Sequence, residues 1–190
     1  MTEPLAIRSK VETNPICLKF EQGDDRWVHQ FELNTPAGEI GLLTSVEGTP
    51  EQAWPPSAPL QDASQELLGD INAILCVGMA GSSHWSAAFS VEPDQSLRSD
   101  IACLQKKIAP GASMGSTYQL DPTWSVDTNA DDRIELSYDG VSIVIETLLG
   151  DDLKTQLELN DRLLTVRPVE ITERPNVATR WGFQLRIATS

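Results

Sequence analysis

Basic side chains are scarce in this sequence. Lysine and arginine number 14 against 28 aspartates and glutamates, a formal net charge of -14. Phosphate backbones and anionic headgroups are repelled on average by such a chain, so neither nucleic acid nor a membrane surface is expected as a partner. Its one basic run, Lys106-Lys107, is too short to reverse that expectation. Histidine is scarcer still, with only His29 and His84, and cysteine is limited to Cys17, Cys76 and Cys103. These five residues contain no C-x-x-C or H-x-x-x-H spacing, which leaves no zinc signature. No metal, cofactor or phosphate loop is therefore expected.

Long apolar runs are also missing. Nothing approaches the roughly 20 residues needed to span a bilayer as a helix. The opening "MTEPLAIRSKVE" carries Glu3 and Pro4 and lacks the continuous apolar stretch of a signal peptide. Three widely spaced cysteines in apolar surroundings suit buried free thiols in a reducing compartment, and no N-x-S/T acceptor occurs. A cytoplasmic location is expected.

What the sequence does contain is alternation with a period of two. Ile16, Leu18 and Phe20 share one side of "ICLKF"; Trp27, Phe31 and Leu33, with His29 among them, share one side of "RWVHQFEL". Ile40, Leu42 and Val46 line up after the turn residues Pro36-Ala37-Gly38. The clearest signal is "DRIELSYDGVSIVIET". An Asp139-Gly140 type I′ turn would pair Tyr138 with Val141, Leu136 with Ile143 and Ile134 with Ile145, all apolar. Ser137 would then face Ser142, and Arg133 would face Glu146. Asn160-Asp161 is read as a second hairpin turn, after a turn at Gly150-Asp151-Asp152. A last strand carries Trp181, Phe183, Leu185 and Ile187, so residues from Arg133 onward read as a meander of about five strands.

Two further readings complete the plan. Asp62 and Gln65 form a capping-box pattern before Leu67, Leu68 and Ile71, which predicts one short helix ending near Asp70. "INAILCVGM" is apolar on both faces, as a central strand would be. The proline-rich stretch 51–60 is the only candidate internal boundary, and the segment before it is too small for its own core. The expected fold is mainly β: one domain over 1–190, an antiparallel sandwich or partly open barrel of about ten strands with one short helix.

Four patterns invite a chemical reading. "GASMG", Gly111 to Gly115, matches the G-x-S-x-G nucleophile elbow, but no histidine follows Ser113 and no helical pattern does either. In "GSSHWSAAF", Ser82, Ser86 or Cys76 could serve a hydrolase or transferase centred on His84. A hairpin over residues 74–91 competes with that reading, because it sends adjacent side chains to opposite faces. Asp127, Asn129 and Asp131 recur at alternate positions like the start of a calcium loop. Asp132 then stands where glycine is needed and Tyr138 where a bidentate glutamate is needed. Trp54 and Trp124, beside prolines, are the candidate ligand-contact aromatics, the other tryptophans lying on strand faces. The expected function is that of a non-catalytic β-domain binding a protein partner, a second copy of itself or a small ligand. The His84-centred enzyme is its rival.

Overall fold

The computed structural model describes residues 5–109, 111–150 and 153–188. Glu3, Pro4, Asp151 and Asp152, used in the sequence readings, lie outside that range. Fifteen strands make two antiparallel sheets. The first runs β1 (Leu5–Arg8), β2 (Ile16–Gln22), β3 (Trp27–Thr35), β4 (Gly38–Ser45), β9 (Ser116–Leu120), β14 (Leu163–Pro168) and β13 (Thr155–Asn160). The second runs β10 (Ser125–Asn129), β11 (Arg133–Tyr138), β12 (Val141–Thr147), β15 (Ala178–Ile187), β8 (Leu97–Gln105), β7 (Ser83–Val91), β6 (Ile71–Ala80) and β5 (Asp62–Leu68). The sheets are open and pack face to face as a sandwich; they do not close into a barrel.

Alternating side chains explain where the core sits. On β7, Trp85, Ala87, Phe89 and Val91 point inward; on β8, Leu97, Ile101 and Cys103 do the same. Phe20, Phe31, Tyr118, Phe89 and Phe183 meet them from both layers, and Trp85 crosses Trp181 edge to face at 5.8 Å. Strands from before and after the proline-rich stretch share this one core.

The Asp139-Gly140 hairpin forms in the expected register, from Tyr138 opposite Val141 to Arg133 opposite Glu146. Both turn residues have positive φ, 45° and 78°. A Cβ on Gly140 would meet nothing within 4 Å, so its cost is purely conformational. Gly140→Ala is expected to lower the unfolding free energy by about 1–2 kcal/mol, read from urea denaturation. An unchanged midpoint would mean that the turn is not held in this conformation.

Four expectations need correction. Residues 62–68 are a strand, not a helix, and no helix occurs among the described residues. Asp62 through Leu68 pair in unbroken register with Val77 through Ile71, and Gly69, at φ 65°, turns the chain back. Pairing with a strongly β-forming neighbour overrides a local helical pattern that also contained glycine. The second hairpin turn falls one residue later, at Asp161-Arg162, with Leu157 opposite Val166. The last strands are not a meander: after β12 the chain crosses to the other sheet for β13 and β14, then returns beside β12 as β15. Strands also number fifteen rather than ten, several being only four to six residues long.

Candidate functional site

His84 lies on β7 opposite Met79 of β6 and Leu104 of β8, facing away from the sandwich interior. The residues around it are set by strand parity. Val77 and Met79 project outward from β6, Ser86 from β7, and Ala102 and Leu104 from β8. Small side chains on β7 and β8 leave a depression of about 500 Å³ there, closed at its rim by Gln61, Asp62 and Ala178. Val77 and Met79 remain 53% and 48% exposed, which is unusual for residues in so apolar a strand. "INAILCVGM" is thus covered on one face only, contrary to the expectation of burial on both. His84 Nε2 is buried and without a hydrogen-bond partner among the described residues.

Of the proposed helpers of His84, only Ser86 lines the same hollow. Cys76 is opposite Ala87 on the core side, 2% exposed, whereas His84 is on the outer side of the same sheet. Burial pushes the Cys76 thiol up to about 12, far from a thiolate at neutral pH. Cys103 is likewise pushed up to about 12, mainly by burial, and burial also raises Cys17; all three thiols are free. Ser82 is exposed in the Gly81-Ser82 turn, between the paired Ala80 and Ser83. Ser86 shares the outer face, two positions along the strand and so about 7 Å away.

The remaining candidates are scattered. Ser113 is exposed in the loop before β9, and a strand follows it where an elbow needs a helix. Asp127 sits at a bulge between β10 and β11. Asn129 donates its side-chain amide to the Leu159 carbonyl at 3.2 Å, and the backbone carbonyl of Asp131 accepts from Leu157 at 2.6 Å. Those two contacts hold the β10–β11 loop against β13. No group of three or more His, Cys, Asp or Glu is gathered for a metal among the described residues.

Trp124 is 1% exposed and donates its indole N–H to the Gly41 carbonyl at 2.8 Å. It therefore cannot meet a ligand from solvent. Trp54 is half-buried against Trp85, with ring centroids 6.3 Å apart. The nearby prolines suggested exposed loops, whereas both rings cover the core.

Sequence reading missed a buried polar cluster between the layers. His29, 3% exposed, shares a hydrogen bond of 3.0 Å with the Tyr118 hydroxyl, and its backbone N–H donates to Ser45 Oγ. Ser45 donates in turn to Glu47, whose carboxyl is raised above its usual range mainly by burial. Arg26, 5% exposed, is clamped by Asp25 through two side-chain hydrogen bonds. The only sequence hint was His29 within an apolar strand face.

The fold and the outer-face depression define the class: an all-β sandwich of two open antiparallel sheets. No protein-family profile matches the chain, and no curated protein does. Among solved structures it is similar to a heparinase III gene product, with a TM-score of 0.64 at 9% identity. The match covers 97% of this chain and 35% of that one, so this chain spans about a third of the neighbour's length. Identity at that level speaks to the fold alone. No helix among the described residues is long and apolar enough to cross a membrane.

Proposed function

We propose that this chain is a non-catalytic module that binds a protein or a small ligand at the depression around His84. The observation that carries the reading is the hollow itself, lined by His84, Ser86 and Ala102 and walled by exposed Val77 and Met79. A largely apolar hollow with a few polar side chains, here Gln61, Asp62 and Ser86, is the common form of a recognition site. A ligand with an apolar body and one hydrogen-bonding group suits it. A cytoplasmic location belongs to the same proposal, and three buried free thiols support it.

The neighbour's name points to heparin, a polyanion. A formal charge of -14 opposes such a ligand here, and none of the fully buried tryptophans is available for sugar stacking. The rival reading is a small hydrolase or transferase centred on His84, and the openness of its hollow favours it. Against it stand the separation of Cys76 onto the core side and the raised thiol.

The test uses amide chemical shifts of the full chain during titration with a library of small apolar amides and alcohols. Shifts are expected at Val77, Met79, His84, Ala102 and Leu104, and are lost in the Val77→Ser/Met79→Ser double variant while the rest of the spectrum is unchanged. Shifts distributed without regard to this face would sink the binding reading. Hydrolysis of p-nitrophenyl acetate is expected to be equal in the parent chain and in His84→Ala. A drop of about tenfold or more in the variant would instead establish catalysis.

A further inference from the structure

Every open sheet leaves two edges, and unprotected edges pair with other chains. This sandwich therefore has four, at β1, β13, β10 and β5. Three carry a recognisable block. β13 has Leu157 N–H and Leu159 C=O occupied by Asp131 and Asn129. β10 is five residues long and broken by the bulge at Asp127. β1 is four residues long and ends in the cation Arg8.

Among the described residues β5 carries no such block. Its seven residues run in unbroken register along β6, without proline, lysine, arginine or bulge. Among the described residues, no backbone group of Asp62–Leu68 bonds to any element other than β6. Leu67 and Leu68 stand 72% and 52% exposed on it.

Charge selects the occupant. No lysine or arginine occurs anywhere between Arg26 and Arg98, so the flank β5–β7 has no cation of its own. Asp62 and Glu66 share the outer side of β5, with Asp70 in the following turn, and none of the three is ion-paired among the described residues. On the other side Ala63 packs against the core and Leu67 is bare. A second copy would bring the same carboxylates and a further -14 charges.

We infer that β5 is a docking edge for an extended basic segment of another protein, added antiparallel as a ninth strand. Cross-strand pairing fixes its pattern. Apolar residues lie opposite Leu67 and Ala63, and lysine or arginine opposite Glu66 and Asp62. Read from its N-terminal end, the segment is apolar-basic-x-x-apolar-basic. This edge adjoins the His84 hollow at Asp62, which borders both, but the inference rests on the exposed strand edge and not on the hollow.

The probe is a labelled peptide, GTVKTTVKTG, titrated with the full chain at low salt and read by fluorescence anisotropy. Saturable binding is expected, at least about fivefold weaker for GTVETTVETG and weakened by raised salt. Glu66→Lys is expected to abolish most of the preference, since only Asp62 is then left to favour lysine, and Leu67→Lys to weaken both peptides. Bound lysine peptide should slow amide exchange along β5, and Met79→Ser should bind it as the parent does. The inference is overturned by an absence of binding up to about 1 mM peptide. It is equally overturned if Glu66→Lys leaves the preference unchanged, if exchange slows elsewhere but not on β5, or if the chain alone dimerises and Ser64→Lys abolishes the dimer. Circular dichroism of each variant, all at exposed positions, confirms that the fold is retained.

Discussion

Gly78→Ala is expected to cost about 4 kcal/mol or more of unfolding free energy, enough to leave much of the chain unfolded. Gly78 lies on the core side of β6, opposite Trp85, directly beneath the stretch Pro59 to Gln61. A Cβ there would overlap the Pro59 carbonyl oxygen and stand 2.8 Å from its carbon and 3.2 Å from the Gln61 nitrogen. All three are backbone atoms, so no side-chain rotation relieves the clash. The segment would have to lift, and with it the bond from Gln61 N–H to the Val77 carbonyl at 2.9 Å and the buried Leu60. Gly69→Ala makes the informative contrast. Its φ is +65° but nothing lies within 4 Å, so only the conformational cost of about 1 kcal/mol applies. Guanidinium denaturation of both variants separates lack of space from backbone strain. A Gly78→Ala midpoint as close to the parent's as that of Gly69→Ala would mean that the proline-rich segment is not seated on β6.

The second large effect is one of pH. His29 is packed between Phe20, at 5.2 Å and 20°, and Phe89, at 5.0 Å, with no anion beside its ring. Burial lowers its pKa to about 3 from an ordinary 6.5. Between those values the unfolded chain takes up a proton that the folded chain refuses. Stability therefore falls as pH is lowered through this window, with a limiting slope of about 1.4 kcal/mol per pH unit. Glu47 works in the opposite sense: its raised carboxyl binds a proton more readily in the folded state, which favours folding as pH falls. The lowered carboxyls of Glu146 and Asp94 add to acid sensitivity only near and below their unfolded values of about 4.5 and 3.8. Urea denaturation between pH 5 and 6.5 avoids the lowered carboxyls, and comparing the parent with His29→Gln, in both of which Glu47 contributes alike, isolates the imidazole. His29→Gln, which cannot charge and can still meet the Tyr118 hydroxyl, is expected to flatten the slope while losing about 1–2 kcal/mol at pH 7. If parent and variant depend on pH alike, His29 is not the group responsible.

Legibility in the sequence followed distance along the chain. The Asp139-Gly140 hairpin could be read residue by residue because turn chemistry and both side-chain faces lie within one short segment. Its neighbours could not. β9 enters between β4 and β14, and β15 between β12 and β8, pairings that join residues far apart and leave no local mark. Residues 62–68 carried a helical capping-box pattern, and their pairing with β6 made them a strand. The same holds for the candidate site. Alternation in "SSHWSAAFS" already separated His84 from Ser83 and Trp85. That Val77 and Met79 are bare depended on nothing lying outside the sheet, which no periodicity records. Trp124 was misjudged because the proline beside it marks a turn, while its indole is drawn inward by the Gly41 carbonyl.

The position of β15 has a consequence for how the molecule is made. Residues 178–187 lie between β8 and β12, so the two halves of the larger layer, β5–β8 and β10–β12, are joined only through β15. Without β15 two seams stay unpaired, lined by Ile143 and Ile145 on one side and Leu97 and Ile101 on the other. Closing this layer therefore waits on pairing β15 with strands far from it in sequence, the kind of non-local step that slows folding, and a chaperone that shields these seams acts before that step.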